Sequence, residues 1–150
     1  MGALVIELLG PVRGKGRPRF VRATGRTYTD AKTESYEGRL AVAAGDVMRG
    51  AAPLDGPILL KLTAVFAVPG SWSKRARAAA LAGETRPTVK PDADNIMKLT
   101  DALNGIVWQD DKQIVSATLR KLYGKRPMLR LEVCPISPAA SMAQNILEAA

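Results

Sequence analysis

Between Gly10 and Pro18 the chain places three glycines and two prolines in nine residues, a stretch that no helix can cross. Regular structure must stop there and restart in another form. Before it, Ala3 to Leu9 is a short run rich in Leu, Val and Ile, which predicts a first strand. After it, Arg19 to Tyr28 predicts a short ribbon turning at Thr24-Gly25, and Thr29 or Asp30 offers the N-cap of a long helix reaching about Arg49. Tyr36, Leu40, Ala43 and Val47 recur at spacings of three and four and give that helix an apolar face. Gly50 and Pro53 end it.

Pro57 to Val68 alternates, with Ile58, Leu60, Leu62 and Ala64 on one face and Lys61 and Thr63 on the other. Ser71 or Ser73 caps a short helix through Ala82, and Gly83 to Val89 is a loop. Asp92 to Asn104 reads as a helix with Gly105 just past its end. Gln113 to Tyr123 alternates again, with Ile114 and Ala117 or Leu119 inward and Arg120 and Lys121 outward. Met128 to Ile136 is a last strand. There is no internal repeat, and 150 residues suit one domain. The expected fold is a single α/β (α+β) domain over 1–137, with a mixed sheet of about four to five strands and two to three helices. Residues 138–150 form an Ala-rich C-terminal tail beyond Pro138.

The chain has no His and a single Cys, Cys134. That excludes a Ser-His-Asp triad, a His general base, an HExxH zinc site, a disulfide framework and any multi-Cys metal site within one chain. Chemistry must run on carboxylates, Lys, hydroxyls or a metal held by oxygen ligands. The net charge of +8 points to a polyanionic partner. No apolar run approaches the ~20 residues of a membrane span, and Ala3 to Leu9 is too short for a signal peptide. A cytoplasmic, nucleoid-associated protein of bacterial or phage origin is the expectation.

Five of the fourteen acids fall within the twenty residues from Asp92 to Asp111: Asp92, Asp94, Asp101, Asp110 and Asp111. Asp94 and Lys98 share a helix face. If the strand after Asp110-Asp111 lies beside the helix N-terminus, Asp111 converges on Asp92 and Asp94. Three converging carboxylates repel unless a cation resolves them, and Mg²⁺, for which Mn²⁺ substitutes, suits such oxygen donors. A metal there serves phosphodiester hydrolysis by generating hydroxide and neutralising charge at phosphorus, with Lys98 adding a fixed positive charge. The plainer alternative is that Asp92 caps a helix and Asp94–Lys98 is a surface ion pair worth ~0.3–0.5 kcal/mol.

Arg13, Lys15, Arg17, Arg19, Arg22 and Arg26 fall in a stretch without an acid. They read as a phosphate-tracking arm, with Phe20 either a base-stacking wedge or a core residue. The glycine spacing is not that of a P-loop. Neutralising about six phosphates would give log K against log salt a slope near −5. Lys74, Arg75, Arg77 and Arg86 make a second, weaker patch, and Trp72 and Trp108 read as core or interface residues.

Three segments together resemble the RusA family of Holliday junction resolvases: Lys90-Pro91-Asp92-Ala93-Asp94-Asn95-Ile96-Met97-Lys98, Asp101-Ala102-Leu103-Asn104-Gly105, and Trp108-Gln109-Asp110-Asp111-Lys112-Gln113-Ile114. The tract Gly10 to Phe20, Tyr28 and the helix around Tyr36 resemble the family's longer, often phage- or prophage-borne members. The resemblance covers most of Leu4 to Val133. It implies a homodimeric, Mg²⁺-dependent endodeoxyribonuclease that resolves four-way DNA junctions by paired symmetric nicks. It implies catalytic roles for Asp92, Asp94, Asp111 and Lys98, with the three acids holding metal and no organic cofactor or membrane involved. One departure stands out: Lys98 and Asp101 are three apart where the family pattern has four, which turns every later residue of the helix by ~100°. The alternatives are a non-catalytic basic DNA-binding protein and a nuclease acting on other branched DNA, such as flaps or forks.

Overall fold

A computed structural model of the chain describes residues 2–137. The tail expected over 138–150 lies outside the described residues. The elements run β1 (Leu4–Leu9), β2 (Arg19–Val21), β3 (Arg26–Tyr28), α1 (Ala31–Met48), β4 (Ile58–Ala67), α2 (Lys74–Leu81), α3 (Ala93–Met97), β5 (Ile114–Gly124) and β6 (Met128–Pro135). Two 3₁₀ segments, Lys98–Leu103 and Asp111–Gln113, lie between α3 and β5. β1, β6, β4 and β5 form one mixed sheet in that order, and β2 and β3 pair only with each other. β1 and β4 flank β6 antiparallel, while β4 and β5 are parallel. The expected α+β domain with three helices and a mixed sheet is what forms.

One sheet face carries the core. Ile58, Leu60, Leu62 and Ala64 of β4, Leu129, Leu131 and Val133 of β6 and Ile6 of β1 are buried there. Tyr36, Leu40, Ala44 and Met48 of α1 and Ile96, Leu99, Leu103, Val107 and Trp108 complete it. Burying each large aliphatic side chain contributes roughly 1.5–3 kcal/mol. Trp108 is fully buried and satisfies its indole N–H on Asn104 Oδ1 at 2.7 Å.

The Asp30 side chain caps α1 by accepting from the Thr33 amide at 2.9 Å, and Arg49 ends the helix in the left-handed region. The buried stripe of α1 is Thr33, Tyr36, Leu40, Ala44 and Met48, with Ala43 and Val47 packed at its margin. It is therefore rotated slightly from the expected face. On β5, Arg120 is exposed as expected, but Lys121 is half-buried. Neighbouring strand residues face opposite ways, so the two cations cannot both point outward. Lys121 lies 5.2 Å from the centroid of the Phe66 ring and donates to the Val89 carbonyl.

The helix expected over Asp92–Asn104 is α for one turn and 3₁₀ thereafter. The Thr100 hydroxyl donates to the Met97 carbonyl at 2.7 Å, and the Asn104 amide donates to the Asp101 carbonyl three residues back. Gly105 turns the chain past the end of this run with φ +80°.

Candidate active site and nucleic-acid interface

Asp92 occupies the cap position of α3 in extended backbone, but its carboxylate makes no capping hydrogen bond. The plainer role for this residue is not realised, and its oxygens remain exposed. Asp94, one residue into the helix, pairs with Lys98 Nζ at 3.2 Å. The Lys98 hydrogen bond holds the Asp94 carboxyl below its ordinary value of 3.8.

Asp92 stands in a cleft of about 670 Å³ whose walls include Arg13, Lys15, Arg39, Lys90 and Asn95. The cleft walls carry four cations, Lys15 among them, against two carboxylates, Asp92 and the Asp30 cap of α1, so its charge is net positive. Arg39 and Lys90 were not signalled as site residues by the sequence. Lys90 directly precedes the Pro-Asp segment, while Arg39 reaches the cleft from the middle of α1, where its guanidinium lies over the Tyr36 ring.

Asp111 stands in a second cleft, of about 290 Å³, lined also by Lys98, Thr100, Asp101 and Ala117. Burial and the neighbouring Asp110 and Asp101 carboxyls raise Asp111 above its ordinary value of 3.8. The Asp110 carboxyl is lowered, chiefly because it accepts from the Lys112 amide. Lys98 thus links the two acid groups, pairing with Asp94 and lining the cleft of Asp111. Among the described residues, no group of three or more acids closes into a metal cage.

Gln113 holds the Asp110-Asp111 corner. Its amide nitrogen donates to the Leu54 and Gly56 carbonyls at 2.8 and 3.0 Å. Its amide oxygen accepts from the Gln109 and Asp110 amides at 2.8 and 3.1 Å. The Asp-x-x-Gln spacing of a capping box was the available sequence signal for this anchor.

Of the basic arm, Arg13, Arg17, Arg19, Arg22 and Arg26 are exposed, and Lys15 is not. Lys15 Nζ lies 3.1 Å from Glu37 Oε1 and 3.3 Å from Asp101 Oδ2. Burial pulls its ammonium down, but Glu37 and Asp101 together hold it above the ordinary lysine value. The glycines act against protein as well: a Cβ on Gly14 would fall 2.6 Å from Pro91 Cβ and 2.9 Å from Asn95 Cβ. Phe20 is 62% exposed and Tyr28 48% exposed on the ribbon, so Phe20 is not a core residue. Lys74, Arg75, Arg77 and Arg86 are also exposed. Trp108 is a core residue, and Trp72 packs edge-on against Tyr123. No helix among the described residues is long and apolar enough to cross a membrane.

A family model described as Endodeoxyribonuclease RusA matches residues 10–134 of the chain. A protein of Bacillus subtilis (strain 168) named uncharacterized protein YqaN is 29% identical over 142 residues, 91% of this chain and 99% of that protein. The family match takes in the basic arm, both clefts and the Gln113 anchor.

Proposed function

The chain belongs to the RusA endodeoxyribonuclease family, and on that footing we propose that it is a structure-selective nuclease that resolves four-way (Holliday) DNA junctions by paired nicks. The observation that carries this reading is the free Asp92 carboxylate in a cation-walled cleft, beside the Asp94–Lys98 pair. Two nicks placed symmetrically call for a two-fold dimer. A nucleoid-associated, cytoplasmic setting follows from the substrate.

The donor chemistry fits Mg²⁺ or Mn²⁺: hard carboxylate oxygens, one of them left out of the capping bond it was placed to make. Mg²⁺ usually takes one or two carboxylates and completes its shell with water and substrate phosphate rather than with an all-protein cage. Asp92 and Asp111, lining two separate clefts, are compatible with that habit. Asp92, Asp94 and Asp111 are the residues that would hold it, directly or through water. When bound, such a metal supplies hydroxide near neutral pH and neutralises charge at phosphorus.

The protein's own groups do the rest. Arg13, Arg39 and Lys90 orient the phosphate chain in the cleft. Lys98 presents a positive charge to the scissile phosphate or holds the attacking water. Arg17, Arg19, Arg22 and Arg26 track the backbone of the arms, and Phe20 stacks at the branch. The products carry 5′-phosphate and 3′-hydroxyl ends.

The deciding experiment is Asp94→Asn on a four-way junction with Mg²⁺, against linear duplex, flaps and forks. Binding without nicking supports the reading. Nicking by the parent of flaps or forks in preference to junctions moves the substrate to other branched DNA. A parent that binds but never nicks leaves a basic DNA-binding protein, the reading favoured by the lack of a preformed three-acid cage among the described residues.

A further inference from the structure

The Gly14-Lys15 step touches the helical run from Ala93 to Leu103 at two levels. Its main chain lies flush on the α3 end: the Lys15 amide donates to the Asn95 carbonyl at 2.8 Å, and there is no room for a Cβ on Gly14 beside Pro91 and Asn95. Its side chain reaches the 3₁₀ end. Lys15 Nζ bridges Glu37 of α1 and Asp101 of the 3₁₀ segment, and Asp101 shares the smaller cleft with Asp111. The Lys15 side chain is 25% exposed and Glu37 20% exposed, so the ammonium already has two partners and little open surface. Arg17, Arg19, Arg22 and Arg26 form no ion pair among the described residues and are exposed.

We propose that Lys15 is a positioning residue of the nuclease site and not a DNA-phosphate contact: it clamps the helical run that carries Asp94, Lys98 and Asp101 against α1. This rests on the reading that the Asp92, Asp94 and Asp111 carboxylates carry the cleavage. A one-turn helix and its 3₁₀ extension can present their groups to one phosphate only if the run is held in place, and a displacement of about 1 Å can cost on the order of a hundredfold in rate. Lys15 holds the run through one main-chain bond and one two-pronged ion pair. It also screens Asp101, which otherwise stands as a bare anion where a phosphate must approach Asp111. Arg spans the same two carboxylates, whereas Met keeps the length of the side chain and loses the charge.

The test compares Lys15→Met and Lys15→Arg with the parent in two measurements. The first is junction affinity against salt concentration in EDTA, where no cleavage intervenes. Each phosphate contact contributes about −0.9 to the slope of log K against log salt. The expected result is a parental slope for both variants. The second is the single-turnover cleavage rate at saturating enzyme, expected to fall at least about tenfold in Lys15→Met and to recover most of that in Lys15→Arg. In an Asp101→Asn background the Lys15→Met loss should shrink, because one prong is already gone. A slope shallower by about one overturns the proposal whatever the rate does. So does a parental rate in Lys15→Met, or an equal loss in the Asp101→Asn background. If Lys15→Met does not fold, Lys15→Arg and Glu37→Gln carry the same two measurements. A parent that fails to cleave sinks the proposed function instead, and the positioning role with it, while the slope still tells whether Lys15 touches DNA.

Discussion

Lys98 places its Nζ 3.2 Å from Asp94 Oδ2 while lining the cleft that holds Asp111. As a surface ion pair this contact is weak, because both side chains are more than half exposed. Its stabilising effect is present above the ordinary carboxylate value of 3.8 and is lost as pH falls through the lowered Asp94 value. Lys98→Ala should therefore barely shift the melting temperature. It should cut single-turnover cleavage by at least about a hundredfold, within the range of losses when a transition-state charge is removed, and change junction affinity far less. A large affinity loss with normal single-turnover cleavage would make Lys98 a binding residue only.

Asp111 behaves in the opposite sense. Its carboxyl is raised by burial and by Asp110 and Asp101, so the folded chain holds that proton more tightly than the unfolded chain does. Asp111 then costs stability at neutral pH, and the cost disappears as pH falls from the raised value toward 3.8. Asp111→Asn should raise the melting temperature at neutral pH, with a gain that shrinks toward pH 4, and should abolish nicking. Thermal melts across that range, together with a cleavage assay, check both halves. A melting temperature unchanged at every pH would mean that the carboxyls around Asp111 do not strain it.

The fold was legible because its signals are local. The Gly-Pro tract, the Asp30 cap, the alternation of β4 and the Gly105 turn each fix an element with no help from the rest of the chain. The stripe of α1 drifted because Ala43 and Ala44 are equally apolar, and only the facing sheet decides between them. The ion pairs of Lys15 could not be read from its neighbours: six cations in one tract look alike until Glu37 and Asp101 arrive from other segments. Arg39 was invisible for the same reason. The Asp-x-Asp spacing singled out candidate acids, but could not show that Asp92 would leave its own helix uncapped.

Gln113 makes four hydrogen bonds across two loops, so its loss should be felt at a distance. Gln113→Leu strands the Leu54 and Gly56 carbonyls and frees the Asp110-Asp111 corner. The expected cost is about 1–3 kcal/mol in stability, read by denaturant unfolding. Cleavage should fall along with it, while the salt dependence of junction binding stays parental, since no phosphate contact is removed.

Arg39 and Lys90 face the same cleft as Asp92 from different elements. Each change to Ala should flatten the salt slope of junction binding by about 0.9 and weaken linear duplex and junction alike. The double variant should flatten it by roughly twice that, because the two residues contact separate phosphates. An unchanged slope in both single variants would move the DNA path out of this cleft.

The ribbon carries an aromatic on each side. Arg19 lies opposite Tyr28 and Phe20 opposite Thr27, so alternation along the strand turns Phe20 and Tyr28 to opposite faces. Two exposed rings on a thin, cationic ribbon suit the gap at an open branch, where the base pairs at the exchange point lose their stacking neighbours. Stacking on aromatic side chains is worth about 1–3 kcal/mol per base. Phe20→Ala should leave stability within about 0.5 kcal/mol of the parent, because the ring is already exposed. It should lower the affinity for a four-way junction by roughly tenfold and leave linear duplex binding unchanged. Tyr28→Ala should do the same, and the double variant should bring the junction-to-duplex ratio toward one. A ratio that survives both changes would assign branch recognition to the cationic clefts alone.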